Sequence, residues 1–375
     1  MRSKLIKIFV LLAVLSLFAT ACSSDDGTST TEATTETTAA STDTTAASTD
    51  TTAASTDTTA ATTDGPTEVS IGAVLSGVKE EPWASSMLEA LERIKAASPN
   101  GLTVNYEYFE SIAYADGERV IGDLAASGKY DIILGHSLFG ESIAPIKDSY
   151  PDILFAFSGS GNEGIASDNA YWIDAYTHEA AYLTGIIAGM MTKSNKISAV
   201  AAFPTPNVNA PLNGYIEGAK SVNPDVKAQV TYIESWFDPT TAKESATAQI
   251  AAGSDMIYAE RNGPFEAAKE ADGVYAFGHW TDQAALAPEV VLTSTLALWD
   301  PSMTFLIDTW YAHVTEGTPY DAPADRIVYS MADGGCDIAA MSDLVPADVQ
   351  SAVMAAKDQI VSGELVITLN PAPIE

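Results

Sequence analysis

The chain has 375 residues, of which 50 are acidic and 18 are Lys or Arg, giving a formal net charge of −32. Acidity of that size with no basic cluster excludes a nucleic-acid partner, because such binding needs a Lys/Arg patch that neutralises phosphates. At 46% hydrophobic and 9% aromatic the composition supports a sizeable core, although the first sixty-odd residues have the wrong make-up to join it.

The amino terminus reads as an export signal. Arg2, Lys4 and Lys7 precede an apolar run from Ile8 to Phe18, and small residues then lead to Cys22. The run is too short for a comfortable bilayer span. The string "LSLFATAC" resembles a bacterial lipobox, with Ala19 where Leu is usual. Residues 1–21 are therefore expected to be removed as a signal peptide, and Cys22 to carry the lipid that holds the protein on the extracytoplasmic face of the cell membrane. Cys336, in "DGGCDI", then has no disulfide partner and reads as a small buried residue. Ser23 to Gly65 is almost entirely Thr, Ala, Ser and Asp, with "STDTTAA" repeating from Ser41, Ser48 and Ser55. Such sequence cannot offset the entropy of ordering, so residues 22–66 are expected to be a lipidated cysteine and a disordered tether.

After Pro66 short apolar runs alternate with helical periodicity, the pattern of βα units around a mostly parallel sheet. "VSIGAVL", "LTVNYEYF", "YDIILG" and "ILFAFSG" read as strands. Between the first two, Met87, Ala90, Leu91 and Ile94 recur at helical spacing, and "GERVIGDLAASG" and "ESIAPIKDSYP" give two further helical segments. The helix expected over "THEAAYLTGIIAGMMTKS" is unusually apolar and should be buried on a second lobe. "KISAVAAF", "VKAQVTYIE", "DMIYAE", "GVYAFG" and "EVVLTSTL" supply that lobe's strands, separated by "LNGYIEGAKSV", "TAKESATAQIAAG" and "GPFEAAKEA" as helices. The fold class is α/β, two Rossmann-like lobes, with lobe 1 over residues 67–174 plus about 295–325 and lobe 2 over 175–294 plus about 326–375. "PSMTFLIDTWYAHVTEG" is expected to return to lobe 1 as a helix and "ADRIVYSMADGGCDIAAM" to cross back. Ligands of such sheets bind in the crevice beyond the strand carboxyl ends.

"GSGNEG" at Gly159 to Gly164 fits the dinucleotide pattern GxGxxG but is not followed by a helix and does not follow a first strand. It reads as a glycine-bearing loop. The four histidines, His136, His178, His279 and His313, come without a nucleophile elbow, an HExxH helix or paired cysteines. His136 and Ser137 are adjacent, but neighbours at a strand end point apart. Neither a metal nor a cofactor is implied. Aromatic and acidic residues instead collect after strands: Glu80, Glu81 and Trp83; Trp236, Phe237 and Asp238; His279, Trp280 and Asp282. Flat π-faces beside carboxylates suit a planar heterocycle with N–H or hydroxyl donors.

From about Val69 to Thr295 the chain resembles the basic membrane protein family of solute-binding lipoproteins, the purine nucleoside receptor-type branch of importer components. "YLTGIIAGMMTKSNKI", "GYIEGAKSVNP", "SWFDP", "AGSDMIYA", "FGHWTDQ" and "VLTS" carry the resemblance. It implies a periplasmic-binding-protein type 1 fold with a hinge, a monomer that takes a purine-like small molecule, and ABC permease subunits as partners. It places Trp83 on the family's base-stacking aromatic, Glu80 on the acidic position that holds the base's polar edge, Asp282 on an Asp associated with sugar hydroxyls, and Asp238 on an Asp that ties its loop. With Ser137, Trp236 and Trp280 these make up the candidate ligand-binding set. Two departures bear on the ligand: "KEEPW" replaces the usual Asp-containing turn, and Trp280 stands where smaller residues are common and would fill the ribose space. Both favour a base over a nucleoside. Two other readings remain open: a surface hydrolase using Glu80 and Asp282 as a carboxylate pair, and a sensor that signals to a partner instead of feeding a permease.

Overall fold

The computed structural model describes residues 65–374; the signal peptide, Cys22 and nearly all of the tether lie outside the described residues. Lobe 1 is built from β1 (Glu68–Leu75), α1 (Pro82–Ala97), β2 (Thr103–Phe109), α2 (Tyr114–Ala126), β3 (Ile132–His136), α3 (Gly140–Ile143), β4 (Leu154–Ser158) and β5 (Ala170–Asp174). Lobe 2 follows with α4 (His178–Met191), β6 (Lys196–Ala201), α5 (Pro206–Val222), β7 (Lys227–Tyr232), α6 (Pro239–Ala251), β8 (Met256–Ala259), α7 (Pro264–Lys269), β9 (Tyr275–Gly278) and β10 (Val291–Ala297). The chain ends with α8 (Asp300–Glu316), β11 (Ile327–Val328), β12 (Cys336–Ile338) and α9 (Ala347–Val361).

The sheets have the orders β2-β1-β3-β4-β5-β11 and β7-β6-β8-β9-β10-β12. All neighbours are parallel except β10 and β12. The inner strands β3, β4 and β5 are buried at every position, as expected of parallel strands covered on both faces. On α1, Pro82 and Ala84 join the stripe Met87, Ala90, Leu91 and Ile94, all buried, and meet the Trp299–Trp310 region on one side of the sheet. A second cluster around Phe139, Phe155 and Phe157 fills the other side.

Helix α4 is buried all round from Ala180 to Gly189, and it lies unusually close to α5. Only a glycine fits at 218, since a Cβ there would overlap the Tyr182 carbonyl. Close backbone approach, more than side-chain interdigitation, joins these two helices. Cys336 is buried with a free thiol, and among the described residues no helix is long and apolar enough to cross a membrane.

The chain crosses between lobes three times: from β5 to α4, from β10 to α8, and from β11 to β12. Helix α8 sits on lobe 1, tied to α1 by a bidentate Arg93–Asp300 pair at 2.7–2.8 Å and by Trp299 Nε1 donating to Ser86 Oγ at 3.0 Å. The last crossing falls after Val328, because β11 pairs with β5 in lobe 1; the sequence placed it about three residues earlier. "AYWID" is a full strand, β5, that the glycine-bearing loop before it concealed. "ESIAPIKDSYP" forms only the one-turn α3 and a 3₁₀ turn.

Candidate ligand-binding site

A cavity of about 470 Å³ opens between the lobes at the carboxyl ends of both sheets. From lobe 1, the loop after β1 supplies Glu81 and the first turn of α1 Trp83, the start of α2 supplies Tyr114, the loop after β3 Ser137 and that after β4 Ser160. From lobe 2, the loops after β6, β7, β8 and β9 supply Asn207, the Trp236–Phe237 pair, the Glu260–Arg261 pair and Trp280. Strained backbone gathers here: Ser111, Ser137 and Trp280 line the cavity with φ of 59°, 150° and 69°. Left-handed non-glycine residues cost of order 1 kcal/mol or more and persist where surrounding packing enforces them.

Trp83 is fixed from several sides. His136 stacks on one of its faces at 4.7 Å and 13°, while Trp280 and Trp299 meet it in T-shaped contacts at 4.8 and 5.4 Å. His136 Nε2–H donates to the Trp83 carbonyl at 2.9 Å, so Nδ1 accepts from Ser158 Oγ. Burial pushes the His136 pKa down to about 4, against a small opposing contribution from the Trp83 carbonyl, and the ring is neutral. Ser137 turns the other way and shares a 2.8 Å hydrogen bond with Tyr114 Oη. The adjacent His and Ser therefore form no nucleophile–base pair.

Trp236 and Phe237 behave differently. They are 45% and 56% exposed at the cavity mouth, with Phe203 tilted against Trp236 at 5.0 Å and the Arg261 guanidinium 5.7 Å from its ring centre, so part of each ring stays open to the cavity. Beneath them Arg261, 5% exposed, donates Nη1 to Glu81 Oε1 at 3.1 Å and to the Trp236 carbonyl at 2.8 Å, and Nη2 to Glu260 Oε1 at 2.6 Å. Burial raises the pKa of both Glu81 and Glu260, with Arg261 opposing the rise in each. His279, pulled well below its ordinary pKa by burial and then by Arg261, hydrogen-bonds Tyr258 Oη through Nδ1 at 2.7 Å.

Behind Ser160 lies Asp174, fully buried at the end of β5, accepting from Ser160 Oγ at 3.3 Å. Burial pushes its pKa up to about 7, against the lowering effects of the Ala175 N–H and Arg326. The glycine-bearing loop is clamped by Asn162, which donates to the carbonyls of Ser158 and Gly159 and accepts from Gly140 N–H. It leads into β5 and not into a helix, so it forms no dinucleotide turn.

Residues 69–367 match the family described as ABC transporter substrate-binding protein PnrA-like. The chain belongs to that family. It is thus an ABC transporter substrate-binding protein, which implies an extracytoplasmic location. It is 30% identical over 268 residues to a purine-binding protein of Brucella abortus, covering 71% of this chain and 73% of that one. A putative ABC transporter glucose-binding protein of Haloferax volcanii is 35% identical over 196 residues, which is 52% of this chain and 49% of that protein. In three dimensions the chain resembles a solute-binding protein of an ABC transporter system from Conexibacter woesei, with a TM-score of 0.66 at 24% identity, covering 80% of this chain and 99% of that one. That likeness shows the two-lobed periplasmic-binding-protein type 1 fold.

Of the seven ligand-site residues expected from the family member's sequence, Trp83, Ser137, Trp236 and Trp280 line the cavity. Glu80 does not; it is exposed within the Val78–Glu81 turn, closed by Glu81 N–H donating to the Val78 carbonyl at 3.0 Å, after which Glu81 lines the cavity. Asp238 lies outside as well: it caps α6, accepting from Thr241 N–H at 3.0 Å and Thr241 Oγ1 at 2.7 Å. Asp282 is exposed and accepts from Ala284 N–H at 3.0 Å. Neither Glu80 nor Asp282 reaches the cavity, so these two carboxylates do not form a pair across it. Reading by residue type missed Tyr114, Glu260 and Arg261. The last two follow β8 directly, so the positional rule that flagged the other loops would have found them.

Proposed function

We propose that this substrate-binding protein captures a purine base or a similar planar heterocycle between its lobes and delivers it to ABC permease subunits from a lipid anchor on Cys22. The observation that carries the reading is the cavity wall itself: the half-exposed Trp236 and Phe237 rings stand over a charged floor. A heterocycle stacks on such faces while its N–H edge meets carboxylate oxygen, and lobe closure around it excludes water and strengthens both interactions. Trp83 contributes at most one face, since His136 covers the other. Trp280 takes up room beside it at 3% exposure, which supports a base over a nucleoside. The Brucella relative, named a purine-binding protein, supports the same chemistry.

A hexose is the second reading, favoured by the Haloferax relative named for glucose binding and by the ability of aromatic faces to pack on sugar C–H faces. Native mass spectrometry of protein purified without added ligand, followed by calorimetric titration of adenine, hypoxanthine, adenosine and glucose, separates them. A free base binding more tightly than its nucleoside supports the proposal. Tight glucose binding with none by purines would replace it with the hexose reading, and tight adenosine binding would remove the role given to Trp280.

A further inference from the structure

The one cation in the cavity wall has its hydrogen-bonding edges occupied. Arg261 Nε donates to the carbonyl and Oε2 of Glu260 at 2.9 Å each, Nη1 to Glu81 Oε1 and the Trp236 carbonyl, and Nη2 to Glu260 Oε1. A phosphate or carboxylate is gripped by two parallel N–H groups from one guanidinium edge, and no such edge is left. Glu260 is equally engaged, its Oε2 also accepting from Ala202 N–H at 2.9 Å. Glu81 differs: Oε1 meets Arg261, whereas Oε2 has no hydrogen-bond donor among the described residues. Two carboxylates against one guanidinium leave the wall with a net charge of minus one, and the nearby His279 is neutral. Among the described residues no lysine and no second arginine lines the cavity, so no other cation offsets that charge.

We infer that this triad makes the cavity refuse anionic ligands and that Glu81 is the residue that determines this specificity. The accepted ligand is uncharged or cationic and turns an N–H or O–H donor toward Glu81 Oε2. Phosphorylated or carboxylated relatives of the same ligand meet buried negative charge with no free cation to answer it. Glu81 stands on lobe 1 and Arg261 on lobe 2, and theirs is the one ion pair among the described residues that joins the lobes. The discriminating charge is therefore held in place only when the cleft is closed. In its purine form the inference rests on the function proposed above; the charge argument itself does not.

The comparison is between hypoxanthine, neutral at pH 7, and urate, an anion on the same ring system with two further oxo groups, whose steric cost is common to wild type and variant and so drops out of the change in ratio. Like-charge juxtaposition costs several kcal/mol, so wild type should favour hypoxanthine by roughly 100-fold or more. Glu81→Gln, which keeps the shape and a hydrogen bond to Arg261, should shrink that ratio about tenfold, at an unchanged melting temperature. Acidification should shrink the ratio more in wild type than in Glu81→Gln, because burial raises the Glu81 pKa against the pull of Arg261 while protonation of urate itself acts alike on both proteins; a merely structural Glu81 would give the two proteins the same profile. Urate binding within a few-fold of hypoxanthine, or an unchanged ratio in Glu81→Gln, overturns the inference. If purines do not bind at all, the proposed ligand fails while glucose against glucuronate reads the same charge preference. If neither pair binds, iodide and acrylamide quenching of Trp236 fluorescence decides: quenching by iodide, but not by acrylamide, should rise in Glu81→Gln, and equal iodide quenching in the two proteins overturns the inference.

Discussion

In lobe 1 the strands run β2-β1-β3-β4-β5-β11 and in lobe 2 β7-β6-β8-β9-β10-β12, so loops equivalent by strand reach the cavity from either side. Lobe 1 sends a locked tryptophan, hydroxyl groups and one carboxylate: Trp83 is held by His136, Trp280 and Trp299, Ser137 and Ser160 are each paired behind, and Glu81 reaches across to Arg261. Lobe 2 sends half-exposed aromatic rings and most of the charge, with Trp236 and Phe237 standing over the Arg261 network. One topology thus carries two kinds of wall. The lobe 1 wall is an extension of its core, and the lobe 2 wall is a set of groups whose remaining partners must come from across the cleft. Strand order determines which loops meet the ligand, but the residues just past each strand determine what they offer.

Removing the support of the lobe 1 wall should have the largest effect. Trp299 is fully buried between α1 and the sheet, so Trp299→Ala should cost about 3–5 kcal/mol in urea-melt stability. It should also free Trp83, seen as a red-shifted emission. A loss under 1 kcal/mol would mean that Trp83 is held by His136 and Trp280 alone.

Next comes a pH effect at the joint between the lobes. Asp174 has its pKa raised from 3.8 to about 7 by burial, against the lowering effects of Ala175 N–H and Arg326. The folded state therefore holds a proton that the unfolded state releases, and the contribution to stability is present at low pH and lost as pH rises through about 7. Between the two pKa values the slope can approach one proton, about 1.4 kcal/mol per pH unit. Asp174→Asn should flatten this stretch of the stability–pH curve; an identical slope in the variant would show that the carboxyl is not the titrating group.

A smaller effect separates the walls. Trp236→Ala should weaken ligand binding by about 1–3 kcal/mol, the usual worth of stacking on an aromatic, with little change in stability. Trp83→Ala should lose both stability and binding, because it belongs to the core as well as the cavity. Equal loss of binding with no loss of stability in both would erase the distinction between the lobes. The smallest change is expected of Asp238→Ala, which removes a helix cap outside the cavity: a slight drop in melting temperature and an unaltered ligand affinity.

Much of this architecture was legible because parallel strands buried on both faces announce themselves as apolar runs; "YDIILG" and "DMIYAE" gave β3 and β8 almost to the residue. β5 escaped because its five residues follow a glycine-bearing loop and carry a polar end, and α9 because "ADVQSAVMAAKDQIV" buries only a thin stripe, Val349, Val353, Ala356 and Ile360. In the site, the aromatic positions Trp83, Trp236 and Trp280 were readable from their places after strands. The acidic one was not: Glu80 and Glu81 are neighbours of one type, and only the turn into α1, with Glu81 as the residue before Pro82, decides which faces inward. Asp238 and Asp282 look like ligand groups in a sequence, yet both carboxylates are taken up by backbone N–H groups of the segments they begin.

In the proposed function the lobe 2 wall stacks a planar, uncharged base that the lobe 1 wall orients. Calorimetric titration of hypoxanthine into wild type and Trp236→Ala tests it most directly. The account predicts saturable one-to-one binding by wild type, weakened about tenfold to a hundredfold in Trp236→Ala. Equal affinity in the two proteins would contradict it.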